Sequence, residues 1–530
     1  MHRVHDGGTL ERGGPDGILG RVMLAFEGET VPSAIADRLQ AAPAAGVTLF
    51  RALNVRTPGQ VRELCRAVQD LGGGRLLIAA DQEAGQFLAL GDGSTPFAGN
   101  MALGAVDDMA LTERVGQAIG SEARAMGVNV VYAPVLDIAS NAANPALGIR
   151  AFGDSPELVA RHGAAMVRGL QSAGVAASMK HFPGAGEAAD DPHHGLASVP
   201  ASRAILDARE LVPFRAAVEA GVRVTMSAHV SLPAVAGSAD VPATLSRAVM
   251  TDLLRGDLGF DGVSITDALD MAGVGRGVDG VPDVAAAIRA GVDLLLTAAD
   301  PAARERIEQA LVEAAAGRVF EPDEMAASER RLAMLRAWLA SFGGLPSLDV
   351  VGSAEHVALA GELAARSMTL VRDPGGLLPL AWAGVGRILA VMPRPTDLTP
   401  ADTSSTVEPG LAAAFRRYHD NVDEVVVEPE PDAASIAAVR GRAAASDLVV
   451  IGTIDGHRLR SQIDLVEAVV ATGKPTIAVA MRGPWDVAAY PGSATALATY
   501  SILPGSLDAL AAVLAGGAPA PGRLPVAVAP

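Results

Sequence analysis

Over the first 340 residues, short apolar runs rich in β-formers alternate with Ala/Leu/Arg/Glu stretches of helical period. The runs are VMLAF (22–26), GVTLF (46–50), RLLIAA (75–80), VNVVYAPV (128–135), VAASMKHF (175–182), VRVTMSAH (222–229), GVSITD (262–267) and VDLLLT (292–297). Eight such repeats, spread over somewhat more than the roughly 250 residues typical of the fold, predict a (β/α)8 TIM-like barrel; a doubly wound open sheet is the alternative. A helical stretch from about Pro322 to Ser341 ends at Phe-Gly-Gly-Leu-Pro (342–346), the punctuation of a domain boundary. Further runs follow at 387–392, 422–428, 447–454, 475–481 and 496–501, separated by Ala-rich helical stretches, and predict a smaller three-layer αβα domain. The expected organisation is a tail over 1–16, the barrel over 17–342, a linker over 343–365 and the second domain over 366–530.

Polar residues concentrate at one end of the barrel runs. Asp81, Asp137, Lys180, His181, His229 and Asp267 each fall at the C-terminal end of a run or just beyond it. In a parallel barrel the βα loops converge at that end, and rigid strands hold the side chains there. Each residue taken singly reads equally well as a loop residue or a helix N-cap.

Composition narrows the class. Acidic residues outnumber basic ones by 60 to 42, giving a formal charge of -18, and no Lys/Arg cluster could neutralise a run of phosphates, which argues against nucleic acid as a partner. The single cysteine, Cys65, allows no intrachain disulfide and no thiolate metal cluster. The opening residues MHRVHDGGTLERGGPDGILG do not resemble a secretory signal, and no run of about eighteen uncharged apolar residues suits a membrane span. A soluble, cytoplasmic protein is expected.

The densest set of titratable groups is KHFPGAGEAADDPHHGLASVP, residues 180–200. In an extended stretch the spacing of Asp191 and His193 puts both side chains on one side. The carboxylate can then fix the imidazole tautomer and leave the other nitrogen free to trade protons. With an unperturbed pKa of about 6.5, raised by a neighbouring carboxylate, such a histidine suits a general acid. The same loop has two plainer readings. It could hold a divalent metal, although Pro192 and the lack of a matching ligand set speak against this. Its Gly-Ala-Gly could cradle phosphate, although the third glycine of a dinucleotide fingerprint is missing. In GFDGVSITDALDM (259–271), Asp267 ends a short strand, where a fixed carboxylate makes a good nucleophile toward an anomeric carbon.

Together these motifs resemble glycoside hydrolase family 3, closest to its β-N-acetylhexosaminidase branch. The residues that carry the likeness are KHFPGxGxxxxDxH, the downstream ITD, DQE at 81–83, APVLDIASNAANPALGIRAFG at 133–153 and PATLSRAVMTDLLRGDLGFDG at 242–262. SMTLVRD (367–373), LLPL (377–380), GKPTIAVAMRGPWDVAAYP (473–491) and GRLPVAV (522–528) resemble the second domain of the two-domain members. The resemblance implies Asp267 as nucleophile and His193, assisted by Asp191, as acid/base. It places Asp81, Arg150, Lys180, His181 and His229 in substrate binding, and it calls for no metal or cofactor. The implied activity is retaining, exo-acting release of terminal β-linked N-acetylglucosamine, for example from cell-wall fragments during peptidoglycan recycling. Phosphorolysis or another exo-β-glycosidase activity such as β-glucosidase, using the same residues, is the alternative. A sugar-binding protein on a decayed scaffold is the non-enzymatic one.

Three departures bear on specificity. DQEAGQFLA stands where the family has DQEGGRVxR, so Gln86 and Ala89 occupy two positions that usually hold arginine, and two bidentate donors are missing. Glu187 stands where Asp is common. Pro192 replaces a common Ser and confines Asp191 to extended conformations.

Overall fold

A computed structural model describes residues 17–189, 195–274, 283–297, 299–399 and 401–528. Its first 297 residues supply eight parallel strands: β1 (Val22–Leu24), β2 (Gly46–Leu49), β3 (Leu77–Ala80), β4 (Val130–Val131), β5 (Ala176–Phe182), β6 (Val224–Ser227), β7 (Val263–Thr266) and β8 (Leu295–Leu296). Each lies inside one of the eight runs read from the sequence. They pair in the order β7-β6-β5-β4-β3-β2-β1-β8, and a parallel bridge between Ile265 and Leu294 brings the two edges together into a nearly closed barrel. The open-sheet alternative is set aside by that bridge.

Alternation along each strand divides the core. Met23, Leu77, Ala79, Val224, Met226, Val263 and Ile265 form one cluster inside the barrel, with Tyr132 above them. Their sequence neighbours Leu24, Ile78 and Ala80 belong to the larger cluster under the surrounding helices. Helix Pro322–Ala340 places Leu332 and Leu335 in the interior cluster, so it packs against the barrel lining.

The second sheet has six strands: β9 (Thr369–Arg372), β10 (Ile388–Pro393), β11 (Val422–Val427), β12 (Leu448–Thr453), β13 (Thr476–Ala480) and β14 (Thr495–Ala498). Their order is β9-β14-β13-β12-β10-β11, parallel except for β9, which runs antiparallel to β14 at the edge. Apolar residues point both ways from it, as a sheet covered on both faces requires. Ile388, Ala390, Val450 and Val479 pack under helices Leu411–Phe415 and Pro504–Leu514, while Leu389, Val391, Val449 and Ala478 join the other core with Val439 and Val466. No helix among the described residues is long and apolar enough to cross a membrane.

The two units meet at the tops of their strands. Gln86, in the small hairpin after β3, donates through Nε2 to Asp402 Oδ2 at 2.9 Å, and its carbonyl accepts from the Thr403 N–H at 2.8 Å. His457 and Arg458, beyond β12, reach the carbonyls of Ala142 and Pro145 in the loop after β4.

Candidate active site

Strand parity decides which side chains enter the barrel mouth. Asp81, Lys180 and Asp267 lie two residues beyond Ala79, Ser178 and Ile265, so they continue the rows that line the interior. Register sets their height. Ser227 pairs with both Phe182 and Thr266, which brings the ends of β5, β6 and β7 level.

Charge is organised in two tiers. The lower tier is buried: Lys180 Nζ lies 2.6 Å from Asp81 Oδ1 and 2.5 Å from Glu83 Oε1, and Arg150 grips Glu83 with Nε at 2.9 Å and Nη2 at 2.8 Å. Such a bidentate fork is the strongest pairing a carboxylate can find. Burial alone would keep Glu83 protonated, yet Arg150 and Lys180 outweigh it and hold its pKa at about 2. Burial also disfavours the Lys180 ammonium, but Asp81 and Glu83 keep it charged and raise its pKa above the ordinary value. The Arg150 guanidinium lies over the Phe87 ring, 4.2 Å from its centroid.

The upper tier is partly open: the Asp81 and His181 side chains are 16% and 13% exposed, against 1% for Glu83. His181 is oriented from below by Asp137, with Nδ1 2.6 Å from Asp137 Oδ2, and its Nε2 lies 3.3 Å from Arg150 Nη2. Asp137 Oδ1 also accepts from the Ala185 N–H at 2.7 Å, which fixes the turn after β5. Gly186 in that turn is needed for close approach rather than for an anion, since a Cβ there would lie 1.8 Å from the Ile138 carbonyl oxygen.

Asp267 is partly buried and accepts from the Ala268 N–H at 2.7 Å through Oδ1. Burial pushes its pKa up, but His181 first, then His229, the Ala268 N–H and Lys180 bring it below the ordinary carboxylate range. A turn and the short 3-10 segment Ala272–Val274 follow it, so no α-helix opens there for Asp267 to cap. His229 is 1% exposed; Nδ1 meets Thr244 Oγ1 at 2.9 Å, and Nε2 lies 3.1 Å from the Ala268 carbonyl, to which it donates. With both nitrogens engaged by protein, it braces the backbone behind Asp267 instead of facing the mouth.

The fold therefore gathers Asp81, Arg150, Lys180, His181 and Asp267 at one end of the barrel, with His229 behind them. Asp191 and His193 lie outside the described residues. Two structural members have no role assigned from the sequence: Glu83, the hub of the lower tier, which stands there only within the DQE motif, and Asp137, the support of His181, which stands there only among the strand-end residues. The available signal was electrostatic, because a lysine and an arginine brought into a barrel mouth need buried carboxylates beside them.

Residues 23–335 match the family model for the glycosyl hydrolase family 3 N terminal domain. β-Hexosaminidase A of Pseudoalteromonas piscicida is 29% identical over 94% of this chain and 92% of its own length. A protein named β-N-acetylglucosaminidase/β-glucosidase from Cellulomonas fimi is 32% identical over 85% of this chain and 83% of its own. Among solved structures, a glycoside hydrolase family 3 β-N-acetylglucosaminidase from Paenibacillus sp. str. FPU-7 superposes with a TM-score of 0.91 at 34% identity, covering 97% of this chain and 99% of that one.

Proposed function

The chain belongs to glycosyl hydrolase family 3, and on that premise we propose that it is a retaining, exo-acting β-N-acetylhexosaminidase that releases terminal β-linked N-acetylglucosamine. The observation that carries the reading is Asp267: a carboxylate held ionised at a strand end, level with Lys180 and His181 and braced from behind. In the first step an Asp267 oxygen attacks the anomeric carbon while His193, paired with Asp191, gives a proton to the departing glycosidic oxygen. In the second step His193 takes a proton from water, whose oxygen attacks the same carbon and displaces the Asp267 carboxylate. Asp81, Lys180, His181 and Arg150 surround the sugar hydroxyls, the last two carried by the buried carboxylates Asp137 and Glu83. The likeness to proteins named as N-acetylglucosaminidases supports the choice of sugar. Substrates of this kind occur in cell-wall fragments, and among them an anionic aglycone gains no advantage, because Gln86 and Ala89 present no cation.

The test is to react the protein with a 5-fluorinated N-acetylglucosaminyl fluoride and locate the label. Label on Asp267, with loss of turnover in Asp267→Ala, is expected. Label elsewhere, or an active Asp267→Ala, overturns the reading. A second specificity, β-glucoside cleavage, is favoured by the double name of the Cellulomonas fimi relative. Comparing aryl β-glucoside with aryl β-N-acetylglucosaminide decides between them, and assaying for sugar 1-phosphate in phosphate buffer separates hydrolysis from phosphorolysis.

A further inference from the structure

His457 sits in the loop after β12, with its two ring nitrogens facing two acceptors. Nδ1 lies 2.8 Å from Asp486 Oδ1, a residue with no exposed surface, and Nε2 lies 3.2 Å from the carbonyl oxygen of Ala142 on the barrel. A neutral imidazole carries one N–H and can satisfy only one of the two; both bonds form together only in the imidazolium. The His457 backbone N–H also donates to Asp486 Oδ1 at 2.8 Å, and the ring lies 5.5 Å from that of Trp485.

Ala142 belongs to a loop whose other contacts lead into the site. Asn144 Oδ1 accepts from the N–H groups of Ala146 and Leu147, and its Nδ2 donates to the Ala185 carbonyl at 2.9 Å. The Ala146 carbonyl accepts from Arg150 Nη1 at 3.0 Å. Arg458 Nη1 adds a longer contact, 3.4 Å, to the Pro145 carbonyl. The backbone of residues 142–146 thus carries the His457 contact at one end and, at the other, the hydrogen bonds to the Arg150 guanidinium and to the turn that Asp137 holds.

We propose that His457 is a positioning residue: as the imidazolium it clasps the second domain to the Ala142 carbonyl and so sets the loop that aims Arg150 at the substrate. The proposal rests on the reading that Arg150 contacts the terminal sugar. The charged groups facing the ring are Asp486, at the start of the short helix Asp486–Ala489 after β13, and Asp455 from its own loop. The barrel segment IASNAANPAL (138–147) contributes no titratable side chain. Burial opposes the charged ring, but Asp486 and, less, Asp455 overcome it and raise the pKa above the ordinary histidine value. The clasp is therefore complete below the ordinary histidine range and is released as pH rises through that elevated value.

The experiment measures kcat and KM for an aryl β-N-acetylglucosaminide, together with intrinsic fluorescence, between about pH 5 and pH 9. Expected is a wild-type KM that rises about tenfold with pH, the scale of one charge-assisted hydrogen bond, while kcat at each pH, which follows His193, is the same in wild type and His457→Phe to within about twofold. His457→Phe shows the raised KM at every pH and lacks the Trp485 fluorescence change that follows imidazole ionisation. Asp486→Asn keeps its shape but not its charge, and moves the KM rise to lower pH. A His457→Phe protein with the wild-type KM profile, or with the fluorescence change intact, overturns the proposal. Arg150→Lys separates the two levels. An unchanged KM there overturns the reading beneath and the clasp with it, whereas an impaired Arg150→Lys beside an unimpaired His457→Phe overturns the clasp alone.

Discussion

Lys180 Nζ stands 2.5 Å from Glu83 Oε1 in the barrel mouth, where the two side chains are 2% and 1% exposed. Glu83 also receives the Arg150 fork, so it is shared by two buried cations, of which Lys180 is paired with Asp81 as well. Glu83→Ala strands Arg150, leaves Lys180 with Asp81 alone, and is expected to cost about 3–5 kcal/mol, the range for breaking a buried pair by removing one partner. Glu83→Gln, which keeps acceptor and shape, costs less. Urea unfolding with an unchanged m value checks this, and a loss under about 1 kcal/mol in Glu83→Ala contradicts it. Because the Glu83 pKa is lowered to about 2, its contribution is present above its unfolded value of 4.5 and disappears as pH falls through about 2.

Asp267→Asn keeps the Ala268 N–H contact possible through the amide oxygen but removes the nucleophile. The kcat is expected to fall about a thousandfold or more, within the range seen when a catalytic group is lost, while binding of N-acetylglucosamine persists. Stability at neutral pH falls as well, because the depressed carboxyl pKa means that the fold favours the ionised group. Calorimetric binding alongside the assay distinguishes this from misfolding.

Glu210 carries the opposite pH signature. Its Oε1 meets Arg209 Nε at 2.5 Å, while Oε2 is buried without a partner among the described residues. Burial, opposed by Arg209 and aided by Asp137 and Glu187, pushes this carboxyl up to about 7. A raised carboxyl pKa stabilises the protonated form, so the contribution is full below the unfolded value of 4.5 and is lost as pH rises through about 7. The loss amounts to about 3 kcal/mol at most. Glu210→Gln should match the wild type near pH 5 and exceed it near pH 8. An offset equal at both pH values refutes the assignment.

The barrel was legible because each strand is a short apolar run closed by a polar residue, and because parity fixes which of those residues point inward. Asp81, Lys180 and Asp267 follow from that rule. β9 was not read as a strand: Thr369–Arg372 is a half-exposed edge, too short and too mixed to carry a period. Glu83 and His457 escaped for another reason. Their roles come from partners 67 to 315 positions away in sequence, at Arg150 and Ala142, and no local pattern encodes such a contact.

Gln86 decides the last expectation. Its amide is committed to Asp402, its carbonyl to Thr403, and Ala89 is buried in the core at 7% exposure, so neither position offers a cation to an anionic aglycone. A bidentate arginine to a carboxylate contributes about 1.5–3 kcal/mol, and without it a cell-wall disaccharide bearing a carboxylate should be cleaved with a kcat/KM no higher than that of neutral chitobiose. Restoring the cation does not by itself restore the preference. Asp402 lies within hydrogen-bond reach of the residue 86 side chain, and its other cation, Arg482 Nη2, is 3.8 Å away, so a guanidinium introduced by Gln86→Arg pairs with Asp402 instead of the ligand. Only Gln86→Arg combined with Asp402→Asn should raise activity on the anionic disaccharide. If Gln86→Arg alone does so, the hairpin is free to turn toward the substrate and the coupling to Asp402 is not what sets the preference.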